Sequence, residues 1–130
     1  MELPDTTDND SFSWHDLQGT ESWHDFTPVT SGITAVGATS YSGRWRDLGR
    51  GIQFQLQLSA ATSIATVAGT SYVALPITPA KGLAGMAVMT NNTALTAVGV
   101  CHVNVATGRV YLPAQAASGN VFTVAGWYEV

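Results

Sequence analysis

A regular alternation of apolar and amide side chains near the middle of the chain constrains its fold most strongly. The four apolar residues and the three glutamines between them are Ile52, Phe54, Leu56, Leu58, Gln53, Gln55 and Gln57. A period of two predicts a strand with one buried face. The other face carries neutral amides, which can hydrogen-bond to another subunit or a sugar without the desolvation cost of ions. The pattern therefore indicates a surface that binds rather than catalyses.

Length and composition favour a single β-rich domain. The chain has 130 residues, of which 45% are hydrophobic, and this is enough to fill one core. Charged residues make up only 11%, against about 25% in an average soluble protein. These values argue against a multidomain enzyme.

The charges divide the chain into two parts. Residues 1–26 contain seven acidic side chains and no Lys or Arg, whereas all five basic side chains come later. We interpret residues 1–26 as an extended acidic anchoring arm and residues 27–130 as a β-sandwich domain.

The predicted arm contains a short internal repeat. Ser-Trp-His-Asp occurs at Ser13 and again at Ser22, followed by Leu17 in the first copy and by Phe26 in the second. Two copies of nine residues are too few for a solenoid, and Trp is a favoured anchor at interfaces. We therefore predict that the repeat anchors the protein to a partner through Trp14, His15, Asp16, Trp23, His24 and Asp25. The alternative is that both tryptophans pack on the protein's own body.

The sequence offers little for catalysis or metal binding. Adjacent His and Asp residues seldom converge on one ion, and no recognised ligand spacing supports the two pairs in the repeat. A hydrolytic triad made from Ser13, His15 and Asp16 would need a rigid scaffold. Outside the arm the only carboxylates are Asp47 and Glu129, and a glycan hydrolase needs two carboxyl groups held about 5–9.5 Å apart. We expect no enzymatic activity, no metal and no cofactor.

From residue 30 onward, turn signals recur at the spacing of a sandwich or barrel. We predict strands near 33–41, 44–48, 51–59, 62–68, 71–77, 83–89, 94–105, 109–113 and 121–130. The clearest hairpin joins Val103 to Leu112, where Gly108 can adopt the positive φ that closes the loop. The predicted fold is an antiparallel β-sandwich.

The last strand is expected to bury one face and expose the other. Phe122, Val124, Tyr128 and Val130 share the face predicted to be core. Trp127 falls on the opposite face, where a monomer would leave a large apolar surface in water. We predict a subunit interface formed by Gln53, Gln55, Gln57 and Trp127. The alternative is that a second sheet or the arm of the same subunit covers Trp127.

A basic and aromatic cluster precedes the glutamine strand. Tyr41, Arg44, Trp45 and Arg46 are candidates for a ligand or receptor surface. Three arginines in an acidic protein are weak evidence for nucleic-acid binding. We favour pairing of Arg44 and Arg46, which share a strand face, with the acidic arm of a neighbour or with another carboxylate.

The remaining signals concern the cellular compartment. Cys101 is the single cysteine, which excludes an internal disulfide and suits a reducing cytoplasm. We expect it to be an inert core residue, and His102 beside it lies on the opposite strand face. The acidic N-terminus does not have the pattern of a signal peptide, and no apolar run reaches the length of a membrane helix. We expect a soluble product with no membrane association.

Several segments together resemble the small trimeric β-sandwich domains of tailed-bacteriophage head decorations, head fibres and tail fibres. They are residues 41–54 with their Gly-Arg-Trp-Arg core, Leu75 to Ile77, Gly108 to Leu112, and the closing Gly126 to Tyr128. The resemblance covers roughly residues 27–130 and implies a jelly-roll-like homotrimer on the virion surface, synthesised in the host cytoplasm. In that family the C-terminal and amide-rich strands commonly face other subunits or receptors, which suits Trp127 and the glutamines.

The resemblance gives two functional hypotheses. The chain lacks the coiled-coil heptads and the large attachment domain of long tail fibres. We therefore favour a capsid decoration or short head-fibre protein that binds the major capsid protein, or another virion protein, through its arm, where three arms would act together. The alternative is a tail-fibre tip that recognises host-surface carbohydrate. Neither hypothesis involves nucleic acid.

Overall fold

The computed structural model describes residues 22–78 and 84–130. Strands account for 67% of these residues, none of which is helical, and every strand pair is antiparallel. The predicted all-β antiparallel class is therefore confirmed. The ten strands are β1 His24–Phe26, β2 Thr30–Ser31, β3 Thr34–Val36, β4 Thr39–Asp47, β5 Gly51–Thr66, β6 Tyr72–Ala74, β7 Gly85–Asn91, β8 Thr96–Asn104, β9 Arg109–Tyr111 and β10 Gln115–Glu129.

The strands follow one hydrogen-bonded path that curls into a half-barrel. Their order is β1-β4-β5-β10-β7-β8-β9-β6-β2, and β3 pairs with the C-terminal end of β5. The two longest strands, β5 and β10, lie side by side in this order. The short strands β1 and β2 are the two ends of the path. The alternating strand of the sequence is therefore a central strand of the sheet.

The core lies on one face of this curled sheet, which we call the inner face. The apolar residues of the alternating pattern are 0–3% exposed, as predicted. Phe122, Val124 and Tyr128 of β10 are fully buried, also as predicted, whereas Val130 is 39% exposed, so its predicted place in the core is wrong. The buried apolar residues are Ile52, Phe54, Leu56, Leu58, Ala60, Ile64, Val73, Leu75, Ala87, Met89, Cys101, Val110, Leu112, Phe122, Val124 and Tyr128.

Several predicted strand boundaries are wrong. The predicted break between residues 41 and 44 is absent, because β4 runs from Thr39 to Asp47, and two further errors arise because bulges do not end a strand. The sequence predicts a break between residues 59 and 62, yet β5 continues through it. Val121 pairs with Ser59 and Gly119 with Ile64, so β5 carries extra residues between these pairs. A bulge of this kind interrupts the ladder while the strand continues. For the same reason β10 begins at Gln115 rather than near residue 121.

The predicted hairpin between β8 and β9 is confirmed. Gly108 has a φ of 70°, a conformation that glycine adopts without steric cost. Its amide donates a hydrogen bond of 2.9 Å to the carbonyl of Asn104. The Asn104 side chain accepts further hydrogen bonds from Ala106 and Thr107, so the turn is held by its own sequence.

The second copy of the Ser-Trp-His-Asp repeat lies within the sheet. His24, Asp25 and Phe26 form β1 and pair with Trp45, Arg44 and Gly43 of β4. Phe26 packs against the core. Residues 24–26, predicted to belong to an extended arm, are therefore part of the folded sheet. The first copy, with Trp14, His15 and Asp16, lies outside the described residues.

Candidate functional site

The face of the sheet opposite the core carries most of the predicted binding residues, and we call it the outer face. On it, strand register aligns side chains from β4, β5, β10 and β7 in rows. One row contains Arg46, Gln53, Trp127 and Met86, and the next contains Arg44, Gln55, Ala125 and Val88. Because neighbouring strands lie about 4.8 Å apart, the side chains of a row are in direct reach of one another.

Arginine and glutamine side chains are joined across β4 and β5, and we call these four residues the Arg–Gln ladder. Arg46 Nε donates to Gln53 Oε1 at 2.7 Å. Arg44 donates to Gln55 Oε1 from Nε at 3.1 Å and from Nη2 at 2.9 Å. The ladder therefore satisfies both amide oxygens within the subunit and fixes the direction of both guanidinium groups.

The tryptophan of the second repeat lies on the ladder. The Cζ atoms of Arg44 and Arg46 are 4.5 and 4.8 Å from the centroid of the Trp23 ring, which is the geometry of cation–π attraction. This indole is half-buried. Trp23 thus packs on the protein's own body, as the alternative interpretation of the repeat had it, and the two arginines contact an aromatic ring of their own chain.

An exposed apolar strip continues the outer face beyond the ladder. It consists of Met86, Val88, Val100 and Trp127, whose exposed fractions are 59%, 46%, 71% and 42%. Trp127 pairs with Met86, and Val88 pairs with Val100, so the members lie on adjacent strands. Trp127 is on the outer face, as predicted. The described residues do not bury it, so the outer face carries exposed apolar side chains from three adjacent strands.

A shallow polar groove of about 360 Å³ opens on the outer face beside the ladder. Its walls include a carboxylate from β1, a guanidinium from β4, amides from β5 and a hydroxyl from β10: Asp25, Ser42, Gly43, Arg44, Gln55, Leu56, Gln57 and Thr123. Gln57 is exposed, and Thr123 Oγ1 accepts a hydrogen bond from Asn92 Nδ2 at 2.7 Å. Hydrogen-bond donors and acceptors, some charged and some neutral, thus line one groove.

A second, more apolar groove of about 520 Å³ lies where β8 meets β9. Val100, His102, Tyr111, Leu112 and Pro113 contribute to its walls. The rings of His102 and Tyr111 are 6.3 Å apart. Val100 belongs both to this groove and to the apolar strip, so the two surfaces are continuous.

The four residues predicted as one ligand or receptor surface divide between the two faces. Arg44 and Arg46 are on the outer face. Tyr41 and Trp45 alternate with them and pack, half-buried, against the core. The Trp45 ring lies 4.5 Å from that of His24. The structure therefore joins the arginines to Gln53, Gln55 and Trp23, and not to the two neighbouring aromatic residues.

Within the described ranges the structure shows no cluster of three or more His, Cys, Asp or Glu side chains that could hold a metal ion. The same part of the chain contains no helix long and apolar enough to cross a membrane. Cys101 is buried, as predicted, and burial raises the pKa of its thiol to about 12. A thiol that stays protonated is a poor nucleophile.

Sequence reasoning did not identify Met86, Val88 and Val100 as surface residues. In β7, Met86 and Val88 alternate with the buried Ala87 and Met89, so both faces of the strand are apolar. In β8, the exposed Val100 directly precedes the buried Cys101. Alternation of apolar with apolar residues gives no amphipathic signal. Only the pairing of β7 with Trp127 of β10 shows which of the two faces is the outer one.

Fold and site together define an all-β half-barrel with a hydrogen-bonded polar ladder and an exposed apolar strip on its outer face. No protein family, curated protein sequence or solved structure matches the chain in the three comparisons made.

Proposed function

We propose that this protein is a structural subunit of a bacteriophage virion, acting as a capsid decoration or short head-fibre protein. In this proposal three subunits with a jelly-roll-like body associate through their outer faces, and the N-terminal segment binds the major capsid protein. The observation that carries the proposal is the exposed apolar strip beside the Arg–Gln ladder. The resemblance of residues 27–130 to phage decoration and fibre domains supports the virion as the location of the protein.

The composition of the outer face suits an interface between subunits. Interfaces commonly have an apolar centre, enriched in aromatic residues and Met, with a polar rim. Trp127 and Met86 supply such a centre, and the ladder lies along one side of it. The amide oxygens of Gln53 and Gln55 already accept hydrogen bonds from the arginines, so these two acceptors stay satisfied when the face is covered.

The acidic N-terminal sequence suits attachment to a shell. Residues 1–21 contain six acidic side chains and no Lys or Arg. A trimer would present three such segments to neighbouring capsid subunits, and linked binding raises the overall affinity well above that of one segment. The proposed action is associative and involves no bond cleavage.

Oligomeric mass tests the association. Light scattering of the full chain is expected to give three times the 13.6 kDa of one chain. A Val88→Lys/Val100→Lys variant should reduce this mass to that of a monomer, because two charges would have to be desolvated in the interface. Leu48→Lys is the matched control, since Leu48 is also exposed but lies outside the strip. A monomeric mass for the unaltered protein would remove the trimer from the proposal.

Co-sedimentation tests the attachment. The full chain is mixed with phage shells that lack it, in parallel with a variant in which Glu2, Asp5, Asp8 and Asp10 are changed to Asn or Gln. We expect the full chain to pellet with the shells and the variant to pellet less. Failure of both to pellet would exclude capsid attachment.

The polar groove favours a second candidate, recognition of host-surface carbohydrate by a tail-fibre tip. Asp25, Arg44 and Gln57 offer the mixture of acceptors and donors that sugar hydroxyls need. Purified host-surface polysaccharide is the probe, with Gln57→Ala as the test variant and Gln115→Ala, outside the groove, as the control. Binding that Gln57→Ala weakens and Gln115→Ala does not would support this function. Absence of binding by the unaltered protein would count against it.

A further inference from the structure

The edge of β4 holds the second copy of the repeated motif, and each residue of that copy can be matched to residues of β4. Trp23 lies on the two guanidinium groups of the ladder, and His24 stacks on the Trp45 ring. The register places Asp25 opposite Arg44 and Phe26 opposite Gly43. Trp and Asp therefore point to the outer face, while His and Phe point to the inner face. We call this the motif site.

The first copy of the repeat carries the same chemistry in the same order. Trp14, His15 and Asp16 have the spacing of the residues that fill the motif site. Main-chain pairing with β4 does not depend on side-chain identity, and a strand period of two would place Trp14 and Asp16 on one face and His15 on the other. Each of the side chains Trp23, His24 and Asp25 thus has an identical counterpart nine residues upstream.

The one difference between the copies explains why the second is bound. The second copy ends in Phe26, where the first has Leu17. Gly43 leaves room for the aromatic ring, because a Cβ atom at that position would lie 2.5 Å from Phe26 Cε1. Leucine fills this space less completely, and lost contact area lowers the stability of packing. The site therefore prefers the copy that ends in Phe.

We propose that the motif site is an exchangeable site for which both copies of the repeat in one chain compete. When the first copy binds, residues 18–26 form a nine-residue loop whose ends are adjacent, a length within the range of compact surface loops. The exchange shortens the chain that precedes the bound copy of the motif from 21 to 12 residues. The inference stands independently of the virion proposal, since it rests only on the repeat and on the contacts of β1 with β4.

Amide hydrogen exchange of β4 in the full-length protein measures whether the site is filled, because an edge strand that loses its neighbour loses protection locally. Trp14→Ala should leave the exchange of β4 unchanged. Trp23→Ala should change it only slightly, because the first copy replaces the second. In the double variant Trp14→Ala/Trp23→Ala, the amides of β4 should exchange about tenfold faster than in the unaltered protein. This increase is larger than the product of the two single-variant effects.

A gain-of-function variant provides the matched test. Leu17→Phe gives the first copy the five residues of the natural second copy, so in the Trp23→Ala background it should restore the exchange of β4 to the rate of the unaltered protein. Gln18→Phe adds the same ring one position further along and should restore nothing. Near-UV circular dichroism checks that the body of each variant remains folded.

Three results would overturn the proposal. In the first, Trp23→Ala alone exchanges as fast as the double variant, which means that the first copy does not enter the site. In the second, the double variant exchanges no faster than the unaltered protein, which means that the indole does not hold the motif. In the third, protection in Trp23→Ala rises with protein concentration, which contradicts competition within one chain.

Discussion

Tyr128 and Ile77 are joined by two hydrogen bonds that tie a loop to a central strand of the sheet. The Tyr128 hydroxyl donates to the Ile77 carbonyl at 2.6 Å and accepts from the Ile77 amide at 3.0 Å. The side chain of Tyr128 is fully buried, and its ring lies 6.0 Å from that of Phe54. One residue thus fills the core and satisfies the backbone of the segment that follows β6.

Tyr128→Phe tests the contribution of the hydroxyl. The ring remains, but the amide and carbonyl of Ile77 lose their partner, which should lower the free energy of unfolding by about 1–3 kcal/mol. Urea denaturation measures the change. Tyr41→Phe, which removes a hydroxyl from a half-buried ring, should have a smaller effect. Equal losses for the two variants would show that the Ile77 hydrogen bonds add nothing.

The same hydroxyl predicts a dependence of stability on alkaline pH. Burial raises the pKa of Tyr128 from 10.0 to about 12, although the hydrogen bond from the Ile77 amide lowers it. The folded state therefore holds the proton more tightly than the unfolded state, so this stabilisation is complete below pH 10 and is lost between pH 10 and about 12. Urea unfolding from pH 8 to 12 should show this decline, and Tyr128→Phe should reduce its slope.

Cys101 should be inert towards alkylation in the folded protein. It is 4% exposed and its pKa is raised from 9.0 to about 12 by burial, so at pH 8 almost no thiolate is present. Iodoacetamide at this pH should leave the native protein unmodified and alkylate it fully in denaturant, as intact mass spectrometry would show. Rapid alkylation of the native protein would mean that β8 opens frequently.

Gly126 should not tolerate a side chain, because β10 and β7 approach closely at this point. A Cβ atom there would overlap the Met86 carbonyl oxygen and lie 2.6 Å from the Ala87 Cβ. Since the neighbour is backbone in the middle of a sheet, Gly126→Ala should lower the free energy of unfolding by about 1–3 kcal/mol or more. The matched control is Ala125→Val, which enlarges the preceding residue on the outer face. Thermal denaturation measures both variants. If Ala125→Val lowers the melting temperature more than Gly126→Ala does, the close approach of β10 and β7 at Gly126 is contradicted.

The sequence predicts the central part of this fold because one face of β5 is apolar and the other is amide. Alternation within β10, where Phe122, Val124 and Tyr128 share the buried face, places Trp127 on the outer face. The sequence does not predict the bulge between Ser59 and Ile64, since small residues such as Ala60 and Ala61 fit both a turn and a continuous strand. Nor does it reveal the strip residues Met86 and Val88, because β7 is apolar on both faces.

The candidate site was predicted only in part, because its members are distant in sequence. The local spacing of Arg44 and Arg46 correctly gives a shared strand face. Their partners Gln53 and Gln55 are set by the register of β4 against β5, which a linear pattern does not contain. For Trp23, the sequence does not distinguish contact with a partner from contact with the protein's own body, since a tryptophan in a polar segment fits both.

The Arg46–Gln53 hydrogen bond should couple β4 to β5 measurably. The bond is 2.7 Å long and both residues are half-buried, so solvent competes with it only in part. A double-mutant cycle of Arg46→Ala and Gln53→Ala, followed by urea denaturation, should give a coupling energy of about 0.5–1.5 kcal/mol. Arg50 with Gln53 serves as the control pair and should give a coupling near zero. If the Arg46 cycle is also near zero, the arginine is held by Trp23 rather than by the amide, and Gln53 is then free to bind a partner on the outer face.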